Sequence, residues 1–118
     1  MYGDILSDEA AELSGSLGLA ASINASDAHC MAQAQHGSAP DIAGQDRANP
    51  TSLVLSAAML LGWLARKHGR ESFAPAQRMI EAAVDELIKD PARRTRDLGG
   101  PLRTKAFTAA LCDRIGSA

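Results

Sequence analysis

Two sets of residues have the types and spacing to do chemistry. Asp4 and Asp8 stand four apart at the start of a helix-patterned segment, so both side chains fall on one helical face within reach of a common cation. A hard divalent ion takes oxygen ligands, and Mg²⁺ typically accepts one or two carboxylates while water and substrate fill its other positions. Acids there also complement the positive end of a helix dipole, and spacing alone does not separate the two readings. The second set is His36, Gly37, Ser38, Ala39, Pro40, Asp41, Ile42, Ala43 and Gly44, followed by Ala48, Asn49 and Pro50. Glycine lets backbone approach a ligand closely, and proline fixes the path of a loop. The helix that follows offers unpaired N–H groups and a positive dipole end to a phosphate. Asp41 can accept hydrogen bonds from ribose hydroxyls, and its charge repels a 2′-phosphate, which favours NAD over NADP. The loop has no GxGxxG fingerprint, and a plain capped loop of Gly, Pro and Asp has the same spacing.

The elements that must position these residues form a helix-dominated α/β chain of about four helices and two or three short strands. A first helix over 4–14 puts Ile5, Leu6, Ala10 and Leu13 on one side, and Gly15 and Gly18 end it. Segments 19–24 and 31–35 are short enough for strands, although Ala and Gln are poor strand formers. A second helix opens at Asn49-Pro50, an N-cap followed by proline at the first helical position. Its expected apolar face is Leu53, Ala57, Leu60, Leu61 and Leu64, with Met59 and Trp63 as further core, and Gly69 stops it. A third helix opens at Pro75, carries Ile80, Val84, Leu87 and Ile88, and ends before Pro91. A turn at Asp97-Leu98-Gly99-Gly100-Pro101 leads to a fourth from Thr104, with Phe107, Leu111 and Ile115 four apart. Arg96 and Asp97 read as braces for that turn.

At 118 residues the chain has the size of one modest domain. Aromatics are only 3%, so Ala, Leu, Ile and Val must do most of the packing. A net charge of −2 gives no electrostatic reason to expect nucleic acid or an anionic membrane as partner. Arg93, Arg94 and Arg96 cluster, but on a loop three charges are expected to be solvated. Cys30 and Cys112 lack CxxC spacing, so neither a disulfide framework nor a zinc site is indicated, and His29 beside Cys30 has no matching partners. There is no run of about 18 apolar residues and no basic lead-in to an apolar stretch. A cytoplasmic location with reduced thiols is expected.

Several motifs occur in a fixed order: Tyr2-Gly3-Asp4-Ile5-Leu6-Ser7-Asp8-Glu9-Ala10-Ala11, Gly15-Ser16-Leu17-Gly18-Leu19, the loop 36–44, Ala48-Asn49-Pro50, Leu55-Ser56-Ala57-Ala58-Met59 and Thr95-Arg96-Asp97-Leu98-Gly99-Gly100. Together they resemble the C-terminal third of the β-decarboxylating dehydrogenases, the isocitrate and isopropylmalate dehydrogenase family that includes tartrate and malate enzymes. The resemblance implies oxidation of a 2-hydroxy acid with NAD or NADP, assisted by Mg²⁺ or Mn²⁺. It implies that His36 sits against the adenine, that Gly37, Ser38 and Ala39 line the dinucleotide, that Asp41 holds the adenosine ribose, and that Asn49 reaches the adenine edge. It makes Asp4 and Asp8 metal ligands whose shell the substrate completes. It assigns residues 1–14 to the end of the substrate and metal domain and 15–118 to the NAD-binding domain. Ala32-Gln33-Ala34-Gln35 stands where members near isopropylmalate dehydrogenase have Phe-Glu-Pro-Val, which leaves the substrate class open.

The same resemblance places the family's catalytic lysine and tyrosine, and the arginines that grip substrate, before Met1. Lys67, Lys89 and Lys105 are remote in sequence from the motifs. The chain is therefore expected to be inactive alone, whether as a natural truncation or a deliberate piece. It would meet the hydroxy acid only when the missing N-terminal part completes it, and would self-associate through uncovered apolar faces. Two alternatives stay open: a non-catalytic helical interaction module, and an enzyme completed by a separate chain.

Overall fold

The computed structural model describes residues 2–13 and 17–117; the side chains of Asp4 and Asp8 are outside what it describes. Helix α1 (Tyr2–Leu13) leads through a 3₁₀ turn (Leu17–Leu19) into strands β1 (Ala21–Ala25) and β2 (Cys30–Ala34). Loop 35–50 follows, and then α2 (Thr51–His68), α3 (Phe73–Lys89) and α4 (Thr104–Gly116). The expected helix-dominated α/β class holds, with two strands among the described residues. Among those residues no helix is long and apolar enough to cross a membrane.

β1 and β2 pair antiparallel with Ile23 opposite Ala32. Ser26 makes the turn: its hydroxyl accepts from the N–H groups of Ala28 and His29 (3.2 and 3.1 Å), and its own N–H donates to the His29 carbonyl at 2.8 Å. This local closure lets a weakly β-prone sequence pair. The pair is then held from outside by two serines of α2, four apart and fully buried. The Ser56 hydroxyl accepts from Ser22 N–H at 3.0 Å, and its proton is shared between the carbonyls of Gln33 (2.7 Å) and Ser52 (2.8 Å). The Ser52 hydroxyl donates to the Ala20 carbonyl and accepts from Gln35 N–H at 3.3 Å.

The buried face of α2 is therefore not the one expected from its leucines. Thr51, Ser52, Ser56, Ala58 and Gly62 are buried, while Leu53 is 58% exposed and Ala57 is exposed. Leu60, Leu61, Leu64, Met59 and Trp63 are half-buried, and Trp63 meets the His68 ring edge-on at 5.5 Å. α2 lies against both strands and against α3, and small side chains on its inner face allow that close approach. The apolar core sits instead between α3 and α4, where Ala83, Val84, Leu87, Phe107 and Leu111 are buried with Leu55, Ile88 and Ile115 packed around them.

α3 begins at Phe73 rather than Pro75, because N–H groups of Phe73 and Ala74 already reach back to the carbonyls of Arg70 and Glu71. Pro75 then occupies the first turn, where a missing N–H costs nothing. The arginine cluster is not wholly solvated: half-buried Arg94 donates from Nε to the Ile88 carbonyl at 2.6 Å, closing the C-terminal end of α3. On the surface, the Arg114 guanidinium grips the Glu86 carboxylate and ties α4 to α3. That hydrogen bond holds the Glu86 carboxyl below its ordinary 4.5. Its contribution is present above 4.5 and fades as pH falls through the lower folded value.

Removing the Ser56 hydroxyl strands a donor on β1 and an acceptor on β2 at once. Ser56→Ala is expected to cost about 1–3 kcal/mol in urea unfolding, whereas Ser→Ala at exposed Ser72 should be near neutral.

Candidate functional site

Loop 35–50 is anchored at both ends and bent in between. It leaves the hairpin at Gln35, held by Ser52, and reaches Ala39, whose φ of 42° and ψ of 61° lie in the left-handed region. That conformation costs a residue with a Cβ about 1–2 kcal/mol, and it turns the chain into a 3₁₀ turn at Pro40–Ile42. Ile42 N–H returns to the Ala39 carbonyl at 3.1 Å and Ala43 N–H to the Pro40 carbonyl at 3.2 Å. The Gln45 side chain donates to the Asp41 carbonyl at 2.6 Å.

The far end is fixed by Asn49, which is 8% exposed. α2 begins one residue later than expected, with Pro50 rather than Asn49 at the cap position. The Asn49 Oδ1 accepts from Thr51 N–H at 3.0 Å, a turn just ahead of α2, and its Nδ2 donates to Asp97 Oδ2 at 2.9 Å. Asp97 reaches it from the turn after α3. There Gly99 adopts φ +77°, and the Thr95 carbonyl accepts from the N–H groups of Leu98 and Gly100 at 3.1 and 2.9 Å. Gly18 backs the pair from the other side. A Cβ there would stand 2.9 Å from Asn49 Cβ, 2.9 Å from Asp97 Oδ2 and 3.0 Å from Asn49 Nδ2.

These segments border an open cavity of about 740 Å³, within the roughly 300–1,000 Å³ of small-molecule sites. Of the residues singled out from sequence, His36, Gly37, Ser38, Ala39 and Asn49 border it together. The His36 ring lies with Nδ1 3.0 Å from the Gly37 carbonyl. Asp41 is exposed and stands just outside the wall, between the bordering residues Ala39 and Ile42. Asp4 and Asp8 lie outside the described side chains, and the described residues bring together no group of three His, Cys, Asp or Glu able to hold a metal ion.

Six bordering residues escaped the sequence reading as site residues: Gly18, Asp46, Arg47, Asp97, Thr104 and Lys105. Asp97 both braces its turn, as expected, and borders the cavity. Lys105, set aside as remote, is brought to the wall by the start of α4. The separation of these positions along the chain leaves no periodic signal that could have joined them. The wall carries Arg47 and Lys105 beside Asp46 and Asp97, and its glycines 18, 37 and 44 let a ligand with polar edges approach the backbone closely.

The sequence pattern of isocitrate/isopropylmalate dehydrogenases matches residues 1–115. The isocitrate/homoisocitrate dehydrogenase of Thermus thermophilus is 48% identical over 117 residues, 99% of this chain and 33% of that protein. A mitochondrial catalytic subunit of NAD isocitrate dehydrogenase from Arabidopsis thaliana is 45% identical over 116 residues, 98% of this chain and 29% of that protein. The crystal structure of isocitrate dehydrogenase from Methylococcus capsulatus superposes with a TM-score of 0.87 at 40% identity, covering 98% of this chain and 32% of that one. The chain thus spans about a third of the length of the relatives it matches.

Gly18 marks the tightest approach in the site. Gly18→Ala is expected to force Asn49 and Asp97 apart and to cost about 1–3 kcal/mol in chemical denaturation. In an Asp97→Ala background, where one of the crowded partners is gone, the same substitution should cost measurably less.

Proposed function

Because the chain belongs to the isocitrate/isopropylmalate dehydrogenase family, we propose that it forms the adenosine-binding wall of an NAD-dependent oxidative decarboxylase of a 2-hydroxy acid. One observation carries this reading: His36, Gly37, Ser38, Ala39 and Asn49 border one cavity, and exposed Asp41 lies on the same loop between the bordering residues Ala39 and Ile42. Relatives named as NAD isocitrate dehydrogenases support the choice of cofactor.

On this reading the loop backbone at Gly37–Ala39 lies along the adenosine, with His36 against the base. Asn49 bounds the far end of the adenine. Its Oδ1 is already taken by Thr51 N–H and one Nδ2 proton by Asp97, so its backbone and remaining amide proton are what it offers the base. Asp41 accepts from the ribose hydroxyls and repels a 2′-phosphate. NAD, when bound, supplies the hydride acceptor for the hydroxyl-bearing carbon of the substrate. Asp4 and Asp8, four apart on α1, would give carboxylate oxygens to Mg²⁺ or Mn²⁺, an ion suited to polarising the substrate oxygen. Residues 1–14 then belong to the substrate and metal domain and 15–118 to the cofactor domain. Lys105 borders the adenosine end and is not placed to act as a base, so turnover needs groups beyond these 118 residues.

Exposed apolar side chains favour a second reading, an interaction or self-association module: Leu13 is 90% exposed, Leu6 66% and Leu53 58%. Such a module binds neither dinucleotide.

Calorimetric titration with NAD and NADP separates the two. NAD is expected to bind more tightly than NADP. Asp41→Asn should narrow that preference by about tenfold, the scale of one hydrogen bond to a charged group. Equal affinity for both dinucleotides contradicts the role given to Asp41. No heat with either contradicts the binding site itself.

A further inference from the structure

Resting on that reading of the cavity, we propose that Asp46 is the positioning residue of the site: it holds the nucleotide loop open by pinning it to the first turn of α4. Asp46 is half-buried and has φ 57°, in the left-handed region that few residues with a Cβ occupy and that Asp tolerates better than most. A residue stays in such a conformation when its surroundings over-determine it. Here they do. Asp46 Oδ1 accepts from Lys105 N–H at 2.8 Å, and the Asp46 carbonyl accepts from Thr104 N–H at 3.3 Å. The Thr104 hydroxyl returns a hydrogen bond to the carbonyl of Ala48, two residues further along the same loop.

The chemistry of α4 explains why a loop residue makes this contact. Its first turn has no acidic residue, and Arg103, at the N-cap position, makes no side-chain cap. A helix start needs acceptors and favours negative charge, and Asp46 supplies both across 59 residues of sequence. α4 is itself immobilised by Phe107 and Leu111 in the core. The core therefore fixes α4, α4 fixes Asp46, and Asp46 fixes the segment of loop that shapes the cavity. Asp46, Ala48, Thr104 and Lys105 all border that cavity. The capping contact also sets where Arg47 and Lys105 sit in its wall.

Four variants of the 118-residue chain test this, with NAD affinity by calorimetry and amide hydrogen exchange as readouts. Asp46→Asn keeps an oxygen acceptor and the tolerance for positive φ, so it should bind NAD within about twofold of the parent chain. Asp46→Gly keeps the backbone but removes the acceptor, and should weaken NAD by about tenfold. Lys105→Pro removes the donor at a position in the first helical turn where proline is accommodated. It should weaken NAD by about tenfold relative to Lys105→Ala, which keeps the N–H. The Asp46→Gly/Lys105→Pro pair should be no worse than either alone, because both break one contact.

Exchange should quicken in Asp46→Gly at Ile42, Ala43 and Thr104 but not at Leu87 in the core. A purely structural cap would lower the melting temperature and leave the affinity of the folded chain unchanged, and that result overturns the proposal. So does parent-like NAD binding by Asp46→Gly. A parent chain that binds no NAD overturns the reading of the cavity instead. In that case the exchange pattern still decides the role of Asp46: quickened loop amides sustain it and unchanged ones overturn it.

Discussion

Asn49 is where the join between the loop and α2 is fixed to the distant turn after α3. Its amide has one acceptor end and one donor end, and both are used: the oxygen accepts from the N–H of Thr51, the first residue of α2, and the nitrogen binds the Asp97 carboxylate. This orientation is the only one the two partners permit, since an N–H needs an oxygen and a carboxylate needs a donor. Gly18 then fits against the pair because it has no Cβ to collide with it. A hydrogen bond to a carboxylate is stronger than a neutral one, and losing this one leaves the nitrogen of buried Asn49 without its Asp97 partner. The end of the loop, the start of α2 and the turn after α3 therefore keep their relative positions together or lose them together.

Polar staples of this kind replace much of what aromatic packing does elsewhere. The chain has one Trp, one Tyr and two Phe, and its described buried apolar cluster is confined to α3 and α4. The hairpin is instead attached to α2 through Ser52 and Ser56, whose hydroxyls satisfy backbone groups at both strands. Thr51 and Thr95 show the cost of such construction: each hydroxyl is buried without a hydrogen-bond partner, and they stand two residues from Asn49 and Asp97 respectively. The cavity thus rests on a scaffold in which direction comes from hydrogen bonds and bulk stability from a small core beside it.

Much of this was legible in the residues themselves. Asn49 before Pro50 gave the start of α2 to within one residue, Gly69 its left-handed stop, and Phe107 and Leu111 the buried side of α4. The ordered motifs pointed to the family, and through it to the residues bordering the cavity. What periodicity misjudged was the inner face of α2, because leucine spacing marks an apolar stripe but does not say which neighbour lies against it. Serines four apart face the hairpin because the hairpin offers backbone groups to bond. Asp97, Asp46 and Lys105 could not be assigned because their role comes from contacts across 48 and 59 residues. No local pattern encodes such contacts. The strands were found with shifted ends, since Ala and Gln carry little β preference and the Ser26 turn sets the register.

The most direct measurement is an NMR titration of the isotopically labelled chain with NAD, followed amide by amide. The expected result is a contiguous set of shifts at Gly37, Ser38, Ala39, Asn49 and Thr104, with the core amides of Val84 and Leu87 unmoved. Shifts confined to the hairpin tip around Ser26 and Cys30, or none along the loop at saturating NAD, would contradict the claim that the Asn49-anchored cavity is built to hold a dinucleotide.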